Sequence, residues 1–137
     1  MRVAVVQMNS TADKAANLAQ ARRLMERAVA RERPDLLSLP ETFAFIGGSR
    51  EARHRSAECF PDGEAYAMLR EFARRHRLYL HGGSMFERDG ERFYNTTVVF
   101  DREGNEVARY RKIHLFDVTT PDGRTYSESD FVGRGEA

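Results

Sequence analysis

The sequence predicts an α/β fold built on a mixed sheet. Three features lead there: a nearly continuous, β-branched apolar run from Val3 to Met8, a helical stretch ended by Pro34, and a second apolar run at Leu36-Leu37-Ser38-Leu39. Apolar runs that do not alternate with polar residues are strands covered on both faces, which places the first at the centre of a sheet. Between the two runs, Leu18, Ala21, Met25 and Ala28 recur at spacings of three and four, with Arg22, Glu26 and Arg33 mostly on the other side. That is the apolar stripe of an amphipathic helix. Ser10, Thr11 and Asp13 offer N-cap oxygens before it, and Pro34 stops it. Strand, helix and strand in immediate succession form a βαβ unit, whose crossover is right-handed.

From Thr42 to Phe60 the periodicity is lost and Gly47-Gly48 interrupts the chain, so this is a long loop with room for short helical turns. Asp62-Gly63-Glu64 opens a second helix, with Met68, Leu69, Phe72 and Ala73 inward and Arg70, Arg74 and Arg75 outward. Leu78 to His81 is the next strand, followed by Gly82-Gly83. Ser84 to Arg88 and Arg92 to Phe100 form a hairpin about Asp89-Gly90, the second arm carrying the β-rich Tyr94-Asn95-Thr96-Thr97-Val98-Val99-Phe100. A further turn at Asp101 to Asn105 leads into the strand Glu106 to Tyr110. Beyond Asp117 the chain turns at Pro121-Asp122-Gly123 and shows no clear period. No repeat, low-complexity tract or linker divides it, and 137 residues suit one domain that buries roughly two-thirds of its unfolded surface.

The charge balance excludes several classes of partner. The 22 basic and 21 acidic side chains give a net charge of +1 and are spread through the chain, so there is no basic face for nucleic acid and no polybasic tail for a membrane. The N-terminal apolar run is too short for a signal sequence or a membrane span, which points to a cytoplasmic protein. Cys59 is the single cysteine, so an internal disulfide framework is excluded, consistent with a reducing compartment. His54, His76, His81 and His114 show no metal-ligand spacing with one another or with acids, and neither a metal nor a cofactor is expected.

Two residues stand out for chemistry. Of the 22 basic side chains only Lys14 and Lys112 are lysines, and Lys112 follows a strand in Tyr110-Arg111-Lys112-Ile113-His114-Leu115-Phe116-Asp117. An ammonium is a compact charge whose proton can move, which a guanidinium cannot match; the bland alternative is a solvated lysine at a strand end. Glu41 follows Leu39-Pro40 at the carboxyl end of another strand, where crevices form in open α/β sheets. It is either a general base or a carboxylate that caps the loop. A glutamate and a lysine converging at one sheet edge would activate a nucleophile and stabilise an oxyanion. Asn95 either orients the site through its amide or makes a ladder hydrogen bond.

Leu39-Pro40-Glu41-Thr42-Phe43, Leu80-His81-Gly82-Gly83-Ser84, Tyr94-Asn95-Thr96, the Tyr110 to Asp117 stretch and Ser127-Glu128-Ser129 occur in the order and spacing of the carbon–nitrogen hydrolase (nitrilase) superfamily. The chain resembles its Nit-type amidases, the branch that includes deaminated glutathione amidase and omega-amidase, over the N-terminal half of such an enzyme. The resemblance implies part of a four-layer αββα sandwich: a mixed sheet with two helices on one face. It implies amide hydrolysis on a small carboxylated substrate by a Glu-Lys-Cys triad, with no cofactor and a homo-oligomeric assembly. On this pattern Glu41 matches the general base, Lys112 the lysine that stabilises the tetrahedral intermediate, and Glu128 a second glutamate supporting the site. Phe43 and Asn95 are the candidates for substrate contacts.

The same resemblance puts the nucleophilic cysteine on a strand-to-helix turn after Ser127-Glu128-Ser129, and the sequence reaches Ala137 without it. The expectation is therefore a single domain over 1–137, cut before the nucleophile-bearing strand. Cys59 precedes Phe60-Pro61-Asp62-Gly63, far from a strand-end turn, and reads as packing. Val3, Val5, Leu37, Leu80 and Val98 are expected on an inner sheet face that lacks part of its cover. Two readings compete with the amidase: a catalytically inactive sandwich fragment that binds a partner, and an N-acyltransferase on the same domain.

Overall fold

A computed structural model of the chain describes residues 1–136. In chain order its elements are β1 (Val3–Val5), α1 (Lys14–Glu32), β2 (Leu36–Ser38), α2 (Arg50–Ser56), α3 (Glu64–His76), β3 (Tyr79–His81), β4 (Met85–Asp89), β5 (Arg92–Phe100), β6 (Glu106–Arg111), β7 (Asp117–Thr119) and β8 (Thr125–Ser127). A 3₁₀ turn at Glu128–Asp130 follows. β1, β2 and β3 run parallel, and β5 joins β3 antiparallel. β5 is long enough to hold β3 and β4 in succession along one edge and β6 along the other. The result is a six-stranded mixed sheet.

Both long helices cover the same face of this sheet. Leu18, Ala21 and Met25 from α1, with Ala65, Leu69, Phe72 and Ala73 from α3, close over Leu37, Leu80, Val98 and Phe100. Those four sheet residues share one face by register, since Leu37 pairs with Leu80 and Leu80 with Phe100, and all are fully buried. Removing each from water contributes about 2 kcal/mol. The helix ends follow from local chemistry. The carboxylate of Asp13 accepts from the Ala16 N–H at 3.0 Å, and Arg33, in the left-handed region at φ 46°, donates its N–H to the Val29 carbonyl just before Pro34.

α3 begins differently. Its N-cap is Gly63, which has no side chain to offer, and the buried carboxylate of Glu58 accepts instead from the N–H groups of Ala65 at 2.7 Å and Tyr66 at 3.1 Å. Lys14 Nζ lies 2.7 Å from the same carboxylate, tying the start of α1 to the start of α3. A Cβ at position 63 would overlap Glu58, so glycine is required there for close approach.

Three features depart from the sequence reading. β1 is an edge strand rather than a central one: among the described residues only β2 pairs with it, and Val3 and Val5 are 49% and 79% exposed. A continuous apolar run signals two faces that seek cover, but here only the helix-side face has it among the described residues. Leu37, Leu80 and Val98 lie on that helix-covered face. The open face instead carries Val3, Val5, Tyr79 and Tyr110. Finally, the aperiodic stretch after Asp117 forms the small hairpin of β7 and β8. Among the described residues no helix is long and apolar enough to cross a membrane.

Candidate active site

The site forms where β2 and β3 end. Leu39 donates its N–H to the His81 carbonyl at 3.1 Å, Ser84 donates to the Pro40 carbonyl at 3.3 Å, and Phe43 donates to the Ser84 carbonyl at 3.1 Å. These bonds strap the segment carrying Glu41 to the one after β3. Gly83, at φ 58°, allows the strap, because a Cβ there would run into the Pro40 carbonyl. Thr42 also sits in the left-handed region, at φ 50°, an unfavourable place for a β-branched residue. The Ser84 Oγ accepts its N–H at 2.9 Å and holds it there.

β5 and β6 supply the other side. Lys112 follows β6 directly, and its N–H donates to the Asn95 carbonyl at 2.8 Å, extending the ladder by one step. Its Nζ donates to Glu41 Oε1 at 2.8 Å and lies 3.0 Å from Glu128 Oε2. The side-chain amide of Asn95 donates to Glu41 Oε1 and Glu128 Oε1, each at 3.0 Å. Two carboxylate oxygens as neighbours require Nδ2 in that position. Glu128 opens the 3₁₀ turn, and its Oε2 accepts from the Phe116 N–H at 2.7 Å.

The two glutamates are thus unequal. The Glu128 side chain is 10% exposed with both oxygens engaged, whereas Glu41 is 60% exposed and its Oε2 has no partner among the described residues. Burial alone would raise the pKa of Glu128, but the Phe116 N–H, Asn95 and Lys112 together hold it below the ordinary value. For Lys112 burial works against the charged form, and the hydrogen bonds and charges of Glu41 and Glu128 more than offset it, so the ammonium is held above its usual pKa.

Glu41, Lys112 and Glu128 line one crevice of about 590 Å³, walled by Ile46, Phe116, Tyr126 and Phe131 and bordered by Arg53. A smaller one of about 360 Å³ lies on the Asn95 side of Lys112, with His81, Tyr110 and His114. A larger concavity of about 670 Å³ is elsewhere, around Arg109 and Arg111. There Arg111 donates to the buried Glu87 at 2.7 and 2.9 Å and to Asp89 at 2.9 Å, while Arg109 donates to Glu106, so those cations are already paired within the fold.

The structure brings Glu41, Asn95, Lys112 and Glu128 together and leaves Phe43 out. Phe43 is fully buried in the core beneath α1 and α3 and lines neither crevice, because its neighbour Thr42 turns the chain inward. Cys59 is exposed, with the Arg88 guanidinium 3.4 Å from its Sγ, and also lines neither crevice. The sequence reading missed Arg53, Phe116, Tyr126 and Phe131 as crevice residues and Glu58 and Glu87 as buried carboxylates. Arg53, Glu58, Tyr126 and Phe131 lie in segments that carry no period, Glu87 and Phe116 lie in stretches read for a hairpin and a motif, and the partners that bury the two acids come from other elements. Among the described residues, no cluster of three or more His, Cys, Asp or Glu side chains is arranged to hold a metal ion.

Comparison with known proteins agrees with this fold. The chain is 41% identical to the nitrilase and fragile histidine triad fusion protein of Drosophila melanogaster, over 97% of the chain and 28% of that protein. It is 39% identical to a deaminated glutathione amidase of Synechocystis, over 97% of the chain and 49% of that enzyme. The crystal structure of a Saccharomyces cerevisiae member of the nitrilase superfamily superimposes with a TM-score of 0.84 at 29% identity, covering all of the chain and 49% of that structure. The chain therefore spans about half, or less, of the length of the proteins it matches. With the sequence model described as Carbon-nitrogen hydrolase matching residues 2–137, the chain belongs to the carbon–nitrogen hydrolase family.

Proposed function

We propose that the crevice is the acid–base half of an amidase site that hydrolyses the amide of a small carboxylated substrate through a thioester. The observation that carries this reading is the division of labour in the Glu41 carboxylate. Oε1 is held by Lys112 and Asn95, and Oε2 is left open in a side chain that lines the crevice. An open carboxylate oxygen with its partner pinned is a positioned proton acceptor. In this mechanism Glu41 takes the proton of a thiol, the thiolate adds to the amide carbon, and Lys112 Nζ stabilises the negative oxygen that forms. The intermediate collapses as the C–N bond breaks. Ammonia leaves with the proton that Glu41 returns, water then attacks the thioester with Glu41 again as base, and the C–S bond breaks to release the carboxylic acid as Glu41 gives the proton back to the sulfur. Glu128 and Asn95 hold Lys112 and Glu41 in place throughout.

The thiol is assigned to a cysteine outside these 137 residues, since Cys59 does not line the crevice. That same observation favours a second reading for the polypeptide by itself, a binding module without turnover. The test joins this chain to the remaining portion of the Synechocystis amidase and measures ammonia release from succinamate. Turnover is expected, with Glu41→Gln abolishing it. Turnover that survives Glu41→Gln would sink the mechanism.

A further inference from the structure

Ser84 bonds the main chain on both sides of Glu41. Its N–H donates to the Pro40 carbonyl at 3.3 Å, which fixes the peptide before Glu41, and its Oγ accepts the Thr42 N–H at 2.9 Å, which fixes the peptide after it. Two fixed peptide planes set φ and ψ of the residue between them, and with those angles the direction of its side chain. A third bond, from the Phe43 N–H to the Ser84 carbonyl at 3.1 Å, carries the strap away from Glu41. Ser84 is 6% exposed and lines the smaller crevice beside Glu41 and Lys112.

The Ser84 side chain matters on one side only. Two of the three bonds belong to its backbone and survive a substitution, whereas the contact after Glu41 rests on Oγ. There the chain is strained. Thr42 holds φ 50°, where a β-branched side chain is disfavoured, and its own hydroxyl turns back to the Glu41 carbonyl at 2.8 Å. Without Ser84 Oγ the Thr42 N–H loses its acceptor, and the backbone relaxes toward an ordinary φ that reorients the peptide between Glu41 and Thr42. The far end of Glu41 resists little, since its side chain is 60% exposed and among the described residues only Oε1 is engaged, by Lys112 and Asn95.

We propose that Ser84 is a positioning residue of this site: its hydroxyl holds Thr42 in the left-handed region and so aims the Glu41 carboxylate. This rests on the reading of Glu41 as the base, and it adds what holds the root of that side chain while Lys112 and Asn95 hold its tip. A hydroxyl that only satisfied a loop N–H would leave Glu41 where it is when removed.

The test places Ser84→Ala, which loses the side-chain bond alone, in this chain joined to the remaining portion of the Synechocystis amidase. A crystal structure of the variant is expected to show Thr42 outside the left-handed region and Glu41 Oε1 withdrawn from its 2.8 Å contact with Lys112 Nζ. With succinamate, kcat should fall by about tenfold to a hundredfold, the scale of a displaced catalytic group, while KM changes by less than about threefold. Adding Thr42→Gly relieves the strain, and the double variant should recover the contact and most of kcat. If Ser84→Ala does not fold, Ser84→Cys, close in size and a weak acceptor, decides. Thr42 and Glu41 unmoved in the variant, or a double variant no better than the single one, overturns the proposal. The base reading fails separately: Glu41 displaced in the structure with kcat unchanged would keep Ser84 as its brace and remove Glu41 from the chemistry.

Discussion

Lys112 Nζ lies 2.8 Å from Glu41 Oε1, although 71 positions separate the two residues in sequence. The topology accounts for the meeting. β2 runs parallel to β3, β3 is antiparallel to β5, and β5 is antiparallel to β6, so β2 and β6 point the same way and release their next residues at the same end of the sheet. Asn95, on the strand between, then spans both carboxylates with one amide.

Replacing Lys112 by arginine keeps a positive charge and changes its shape. The planar fork cannot occupy the space between Glu41 and Glu128 while presenting one compact donor to an oxyanion. Joined to the remaining portion of the Synechocystis amidase, Lys112→Arg is expected to lose about a hundredfold or more in kcat, the scale of one oxyanion donor. Turnover within a few-fold of the parent would return Lys112 to an ordinary ion pair.

Asn95→Leu has a similar volume and donates nothing. It leaves Glu41 and Glu128 as neighbouring carboxylates without the amide between them, at a cost of about 2 kcal/mol for the unpaired buried group. Chemical denaturation should show that loss, and the variant of the joined enzyme should fall in kcat more than it rises in KM. Equal stability of the variant and the parent would mean that the amide bridge contributes nothing.

A third expectation concerns Glu87, 2% exposed and bonded to Arg111 and Thr96. Glu87→Gln leaves the Arg111 guanidinium short of its main partner, and breaking such a buried pair costs about 3 kcal/mol. The double variant Glu87→Gln with Arg111→Met should recover part of that loss in the same urea titration. A double variant less stable than the sum of the single ones would contradict the pairing.

Acid should loosen the site through Glu128. Its folded pKa lies below the ordinary 4.5, so in the intervening window the unfolded chain binds the proton and the folded chain does not. The contribution of Glu128 to stability is therefore complete above the unfolded value and is lost as pH falls through the folded one. A ¹³C-carboxyl titration should place its midpoint below 4.5, and Asn95→Leu should move that midpoint up. A midpoint above 4.5 in the unaltered chain would mean that desolvation wins over the donors.

The open sheet face should make the 137-residue polypeptide associate. Val3, Val5, Tyr79 and Tyr110 expose apolar surface together on it, and covering a few hundred square ångströms at about 25 cal/mol per Å² is worth several kcal/mol. Light scattering is expected to report dimers or larger species that bind a hydrophobic dye, and Val5→Lys should reduce both signals. A monodisperse monomer with a sharp melt and no dye binding would show that this face is stable in water.

Much of this was legible one residue after another. The periods of α1 and α3, Asp13 as a cap, Pro34 as a stop and the Asp89-Gly90 turn are local choices, and each is made by atoms within a few positions of one another. The exceptions are also physical. An apolar run reports that a strand seeks cover and not how many neighbours it finds, so β1 reads as central and lies at an edge. The hairpin of β7 and β8 escapes notice because all but Ser127 of its residues are exposed, and exposed strands need no apolar alternation.

The order of residues by itself determined the α/β class, the two long helices and the family motifs that carry Glu41, Lys112 and Glu128. Those depend on backbone preference and on which residue types are present. Tertiary structure alone decided that Phe43 turns into the core, that Asn95 holds both glutamates, that Glu58 starts α3 from outside it, and that Arg53 borders the crevice with no ion-pair partner among the described residues. Each of these relations joins groups from separate elements across a few ångströms. Such distances are set by strand direction, register and packing, and spacing along the chain does not encode them.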